Sequence, residues 1–228
     1  MKKPGIILFA ALLASPLSAN AHRVERGSGG GVAAAEETAA RVAIEILGKG
    51  GNAADAAVAL AFALAVTWPE AGNIGGGGFW LSRDARGRVL VIDFRETAPR
   101  AARGDLFVRP GPNGKPPSST EGPLASGVPG SVAGLELAHR LAGKLPWKDL
   151  LEPAVRLARD GFIVSEVVAR SISRERDRLA SDPETASIFL PGGAAPAAGS
   201  LWRQPDLART LQGIRDRGAD GFYRGHVA

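Results

Sequence analysis

Apolar positions recur along this chain with two different periods, and the change of period divides it into helices and one hairpin. Ala35, Ala39, Val42, Ala43, Ile46 and Leu47 return at helical spacing, and Gly48, Gly50 and Gly51 stop the run. Asn52 then stands where a helix cap belongs, and Asp55 lies in the first turn, where a negative charge suits the helix's positive end. Over 53–66 the residues are apolar on nearly every side and rich in alanine. That is the pattern of a helix inside a larger fold, and it is too short to cross a bilayer. Trp68-Pro69 ends it, and a glycine-rich run follows over 72–78. From there the period is two: 78–83 and 88–95 read as strands joined by a turn through Asp84-Ala85-Arg86-Gly87, which predicts a hairpin. Leu90, Ile92 and Phe94 share one face of the second strand, while Val89, Val91, Asp93 and Arg95 share the other. The second face therefore turns from apolar to charged toward its end. Proline, glycine and serine over 109–130 predict a long loop, and helical patterns follow at about 131–142, 147–159, 165–180 and 204–217. Leu150, Leu151, Ala154, Val155 and Ala158 give the second of these an apolar stripe, and Pro191-Gly192-Gly193 marks another loop. A helix-rich chain with one hairpin and no internal repeat fits a piece of an α+β fold better than a complete Rossmann domain.

The first residues change the picture of where the chain works. Lys2 and Lys3, an apolar run over 6–14 and Ala19-Asn20-Ala21 make a signal-peptide pattern over 1–21. The remainder, 22–228, is enough for one domain of ordinary size, expected in the periplasm or secreted; an N-terminal anchor is the alternative. The net charge of +5 includes both lysines of the signal, and the arginines are spread along helices with acidic neighbours. With one tyrosine and no clustered basic face, nucleic-acid binding is not expected. The absence of cysteine excludes a disulfide framework, a thiolate metal site and a cysteine nucleophile. His22, His139 and His226 are scattered, so no metal and no cofactor is expected.

Two features carry candidate chemistry. The run Gly75-Gly76-Gly77-Gly78 leads into a strand rather than a helix and has no lysine-serine or lysine-threonine pair after it, so phosphate-cradle fingerprints fail on context. It reads either as close backbone packing or as a place where backbone N–H groups meet a substrate. Arg95 offers a fork of donors suited to a carboxylate, or else an ion pair with Asp93 or Glu96. Glu36-Glu37 and Asp55 are explained by capping, and no Ser/His/Asp arrangement stands out.

Several motifs in register resemble a known family. Lys49-Gly50-Gly51-Asn52-Ala53-Ala54-Asp55-Ala56-Ala57-Val58-Ala59, Ala71-Gly72-Asn73-Ile74-Gly75-Gly76-Gly77-Gly78-Phe79, Asp93-Phe94-Arg95-Glu96 and Ala98-Pro99 look like the N-terminal part of γ-glutamyltranspeptidase (glutathione hydrolase). Ala125-Ser126-Gly127-Val128-Pro129-Gly130-Ser131-Val132-Ala133-Gly134 and Leu157-Ala158-Arg159-Asp160-Gly161-Phe162 match the same family in the same order. The resemblance implies an N-terminal-nucleophile hydrolase with an αββα sandwich, made as a precursor that cleaves itself into two subunits. It implies a threonine nucleophile that attacks the γ-glutamyl amide of glutathione and passes the acyl group to water or to an acceptor amino acid or peptide. It also implies that Arg95 binds the α-carboxylate of the γ-glutamyl group. The chain departs from the family's pattern in two respects: Thr38, Thr67, Thr97, Thr120, Thr185 and Thr210 lie outside any nucleophile motif, and the downstream glycine pair and serines that the resemblance implies for the oxyanion hole and the amino group are not found. The expectation is an incomplete sandwich, a truncated N-terminal portion without the small subunit, inactive alone. A related acylase with another amide substrate and a non-catalytic exported binding module are the alternatives.

Overall fold

The computed structural model describes residues 29–228, so the expected export signal lies outside the described residues. Residues 32–228 form one unit. Glu36 is extended and accepts the N–H groups of Thr38 and Ala39 at 2.9 and 2.8 Å, satisfying two donors that the first turn of α1 (Glu37–Gly48) leaves open. That helix buries Ala39, Val42, Ala43 and Ile46, the predicted stripe.

Helix α2 (Ala53–Thr67) starts with a reciprocal cap. Asn52 Oδ1 accepts from the Asp55 N–H at 3.0 Å, and the Asp55 carboxylate accepts from the Asn52 N–H at 2.9 Å. The helix packs on α1, on α3 (Ser131–Ala142) and on α4 (Trp147–Asp160). Three partners around one helix explain why it is apolar all round, and Phe62 meets Trp147 edge-on with ring centroids 5.6 Å apart.

The expected hairpin is present as β1 (Phe79–Arg83) and β2 (Val89–Asp93), antiparallel, with Phe79 opposite Asp93 and Arg83 opposite Val89. Trp80 pairs with Ile92, both buried, while Phe79, Leu81, Val89 and Val91 face outward and are exposed. The alternation read from the sequence is therefore the alternation of the sheet. The second strand ends earlier than expected, at Asp93. One further pair joins Phe94 N–H to Gly78 O at 3.0 Å, and Arg95 lies beyond it.

The C-terminal half departs from expectation in three places. The single helix expected over 165–180 is two, α5 (Glu166–Arg174) and α6 (Arg176–Ala180). They are separated at Glu175, whose φ of −91° and ψ of 9° leave the helical region. The first buries Val168, Ser171 and Ile172, whereas the second buries no residue fully and rests on the core through the half-buried Leu179, so little packing holds them on one axis. Helix α7 (Pro183–Phe189) was not expected, although Asp182 and Pro183 are its signal: Asp182 accepts the Thr185 N–H at 2.7 Å, and proline occupies the first turn. The ladder of β3 (Phe162–Ile163) and β4 (Leu201–Trp202) has only two residues per strand, too short for alternation to announce it. Helix α8 (Pro205–Arg217) packs on α4 and is followed by α9 (Asp220–Tyr223). The whole is a helix-rich α+β arrangement with two small antiparallel sheets. Among the described residues no helix is long and apolar enough to cross a membrane.

Candidate functional site

Arg95 is the candidate, and its position is set by what holds the backbone on either side of it. On one side lies the glycine run. A Cβ on Gly77 would stand 2.6 Å from Phe94 O, 2.8 Å from Glu96 N and 2.9 Å from Arg95 Cα, so only glycine allows that approach. On the other side lies the segment leading into α3. A side chain on Gly130 would strike the Phe94 carbonyl, and one on Gly134 would strike the Phe94 ring. Thr97 and Val128 exchange backbone hydrogen bonds at 3.2 and 2.8 Å, closing the far end of the slot. The walls are tied to each other as well, because Gly76 O accepts the N–H groups of Gly130 and Ser131 at 2.8 and 3.0 Å. Residues 94–97 are thus clamped between two glycine-bearing segments. The close-packing reading of the glycine run holds at Gly77.

The Arg95 side chain leaves this slot into solvent and is 61% exposed. Its Nε donates to Glu96 Oε2 at 3.0 Å, its guanidinium carbon lies 5.9 Å from the centre of the Phe79 ring, and its backbone N–H donates to Asp93 Oδ1 at 3.0 Å. The ion pair read from the sequence is therefore formed, through Glu96. It engages Nε, and neither terminal nitrogen has a hydrogen-bond partner among the described residues. A guanidinium held by its inner nitrogen presents the outer two as a fork, the geometry that grips a carboxylate with two parallel bonds. The Glu96 carboxyl is held below the usual carboxylate range, first by its own backbone N–H and then by the Arg95 guanidinium, so the pair stays charged near neutrality.

The other residues singled out by sequence do structural work. Asp55, wholly buried, accepts the N–H groups of Lys144 and Leu145 at 2.9 and 3.2 Å besides that of Asn52. His139 shares a 2.8 Å hydrogen bond with Leu145 O beside Trp147. No group of three or more His, Asp or Glu able to hold a metal occurs among the described residues. A cavity of about 1230 Å³ between residues 118–126 and α5–α7 is lined by Trp68, Ser171, Arg174, Arg178, Asp182 and Phe189, among others, and does not include Arg95. Sequence reasoning missed Phe94, Gly130 and Gly134 as the packing that fixes Arg95. The only local trace was the spacing of the two glycines by four, which puts both on one helix face.

Comparison with known proteins gives this geometry its context. The family model for gamma-glutamyltranspeptidase matches residues 39–228. The glutathione hydrolase proenzyme of Escherichia coli strain K12 is 41% identical over 96% of this chain. The chain spans 39% of that relative's length. The crystal structure of Helicobacter pylori gamma-glutamyltranspeptidase superposes with a TM-score of 0.85 at 38% identity, over 90% of this chain and 59% of that one. A cephalosporin acylase from Bacillus halodurans gives a TM-score of 0.74 at 29% identity, over 84% of this chain and 36% of that one. The described fold is thus a partial α+β structure of the N-terminal-nucleophile hydrolase type. A family model that matches most of the sequence, and a relative 41% identical over 96% of it, lead to one assignment: the chain belongs to the γ-glutamyltranspeptidase family.

Proposed function

We propose that this chain forms the donor-side wall of a γ-glutamyl pocket in an exported γ-glutamyltranspeptidase, with Arg95 as the anchor for the substrate's α-carboxylate. One observation supports this above the rest: an exposed guanidinium held at its Nε and at its backbone, with neither terminal nitrogen hydrogen-bonded among the described residues. The reaction would cleave the γ-glutamyl amide of glutathione and pass the acyl group to water or to an acceptor amino acid or peptide. The nucleophile would come from sequence that longer relatives carry. Thr67, the one buried threonine among the described residues, gives its hydroxyl to Ala63 O, and the other five bear no relation to Arg95 beyond Thr97's backbone pairing. Residues 1–21 would act as the export signal, leaving 22–228 in the periplasm or secreted.

The 228-residue protein should show no turnover of a γ-glutamyl anilide above background. Joined to the C-terminal part of the Escherichia coli relative, it should become active. In that hybrid Arg95→Ala should raise KM roughly ten- to hundredfold, the loss of one charge-assisted contact. Turnover by the 228-residue protein alone, or a hybrid whose KM ignores Arg95, would overturn the reading. The likeness to the cephalosporin acylase supports a second reading, an acylase of the same scaffold with a different amide. Hydrolysis of an acyl amide that lacks an α-carboxylate, insensitive to Arg95→Ala, would favour it.

A further inference from the structure

Helix α3 begins without a cap of its own. Its N-cap residue is Gly130, with no side-chain hydrogen bond to the first turn. The close approach of Phe94 explains why. A serine, threonine or aspartate at 130 could have supplied the missing acceptor, but its Cβ would collide with the Phe94 carbonyl. The open donors of that first turn must be met from elsewhere. Gly76 O meets one, the Ser131 N–H. The other partner comes from 90 residues away. Ala133 N–H donates to the Tyr223 hydroxyl at 3.3 Å, and that hydroxyl donates in turn to Pro129 O at 2.8 Å. One phenol thus joins the residue before Gly130 to the first turn after it, in the same wall whose Gly130 meets the backbone of Phe94 and Arg95.

We propose that Tyr223 is a positioning residue for Arg95. It acts through the wall formed by Pro129, Gly130 and the first turn of α3, and it replaces the cap that glycine at 130 cannot provide. Arg95 is carried by backbone atoms wedged against that wall, so a wall free to shift lets the guanidinium wander from the orientation that matches a carboxylate. The neighbouring ties agree with this. Tyr223 stacks edge-on with Phe222 at 5.0 Å, and Glu136 of α3 accepts the Ala219 N–H at 2.9 Å. The segment around α9 therefore meets α3 at two points, one turn apart. The positioning role rests on the carboxylate reading of Arg95, whereas the brace itself does not.

Tyr223→Phe removes only the hydroxyl, so it separates the brace from ring packing. In the 228-residue protein, hydrogen exchange at Ser131, Ala133 and the 94–97 amides should quicken roughly tenfold, with α1 and α2 unchanged. In the hybrid with the Escherichia coli C-terminal part, KM for a γ-glutamyl anilide should rise about three- to tenfold with kcat nearly unchanged. Combined with Arg95→Ala, the same substitution should add nothing further to KM, because both act through one contact. Exchange at 94–97 that is indifferent to the hydroxyl would overturn the brace. Additive KM effects, or a loss in kcat alone, would overturn the positioning role. An Arg95→Ala hybrid with unaltered KM would remove the carboxylate reading and this role with it, even where exchange shows the brace intact.

Discussion

At the scale of single residues, the chain places two groups where their ionisation can be read separately. Tyr223 is the only tyrosine. Burial raises its hydroxyl above the usual value of 10.0, more than the Ala133 N–H that points at its oxygen lowers it. An acid whose folded-state value is raised contributes stability that is fully present below the unfolded value, and this is lost as pH rises through the folded one. Phenolate absorbance should therefore appear above pH 10, later than in the urea-unfolded chain. Stability should fall across that same alkaline window, and the fall should shrink in Tyr223→Phe. Coincident titrations of folded and unfolded protein would contradict the burial. Glu96 behaves oppositely: its lowered value keeps Arg95 paired as pH falls, until the carboxyl protonates in acid. Neither group is deep enough for its shift to be turned into an energy, because solvent screens both. What they determine is direction and orientation.

At the scale of elements, the start of α2 is densely hydrogen-bonded. The buried Asp55 carboxylate accepts three backbone N–H groups, from Asn52, Lys144 and Leu145, while Asn52 Nδ2 donates to Ala142 O at 2.7 Å. One side chain thereby caps a helix and ties it to the connection between α3 and α4. Asp55→Ala leaves those donors without their acceptor in a dry site and should cost about 3 kcal/mol, seen as a lowered urea midpoint with an unchanged slope. A loss below about 1 kcal/mol would mean that water reaches the site. The cap itself was legible in the sequence, since Asn52 and Asp55 are three apart and face one another whatever surrounds them. Helices α1 and α2, the hairpin and the inward and outward faces of β2 were legible for the same reason: periodicity is a local property. The second half of Asp55's role was not, because Lys144 and Leu145 lie some ninety residues on. Arg95 was legible as a pair with its neighbour Glu96. The slot that aims it depends on Gly130, Gly134 and Tyr223, which reach it only through the packing of α3. Helix α7 shows the converse, a start signal present at Asp182 and Pro183 in a stretch to which the sequence reading assigns no element.

At the scale of the molecule, the hairpin is finished on one side only. Trp80 and Ile92 face the helices, whereas Phe79, Leu81, Val89 and Val91 point away from them at 65, 75, 61 and 63% exposure. Four large apolar side chains on one face of a two-stranded sheet form a contiguous patch rather than the scattered apolar residues that soluble surfaces tolerate. Both long edges of that sheet beyond the single pairing also keep open backbone groups, which invite another strand. A sheet of two strands is marginal without cover, and in an αββα sandwich a second sheet would supply it. The 228-residue protein should therefore self-associate at micromolar concentration, with light scattering that grows with concentration and dye binding typical of exposed apolar surface. Leu81 and Val91 face each other across the strands, so replacing both by threonine removes the centre of the patch while keeping residues that favour strands. The double variant should scatter less and bind less dye, with the melting of the helical part within about 1 kcal/mol of the parent. In the hybrid carrying the Escherichia coli C-terminal part the sign should reverse: there the same substitutions should destabilise, because the patch is then an interior. A parent protein that stays monomeric and dye-free would show that the face is covered by the chain itself. A hybrid indifferent to Leu81 and Val91 would show that the added sequence covers something else.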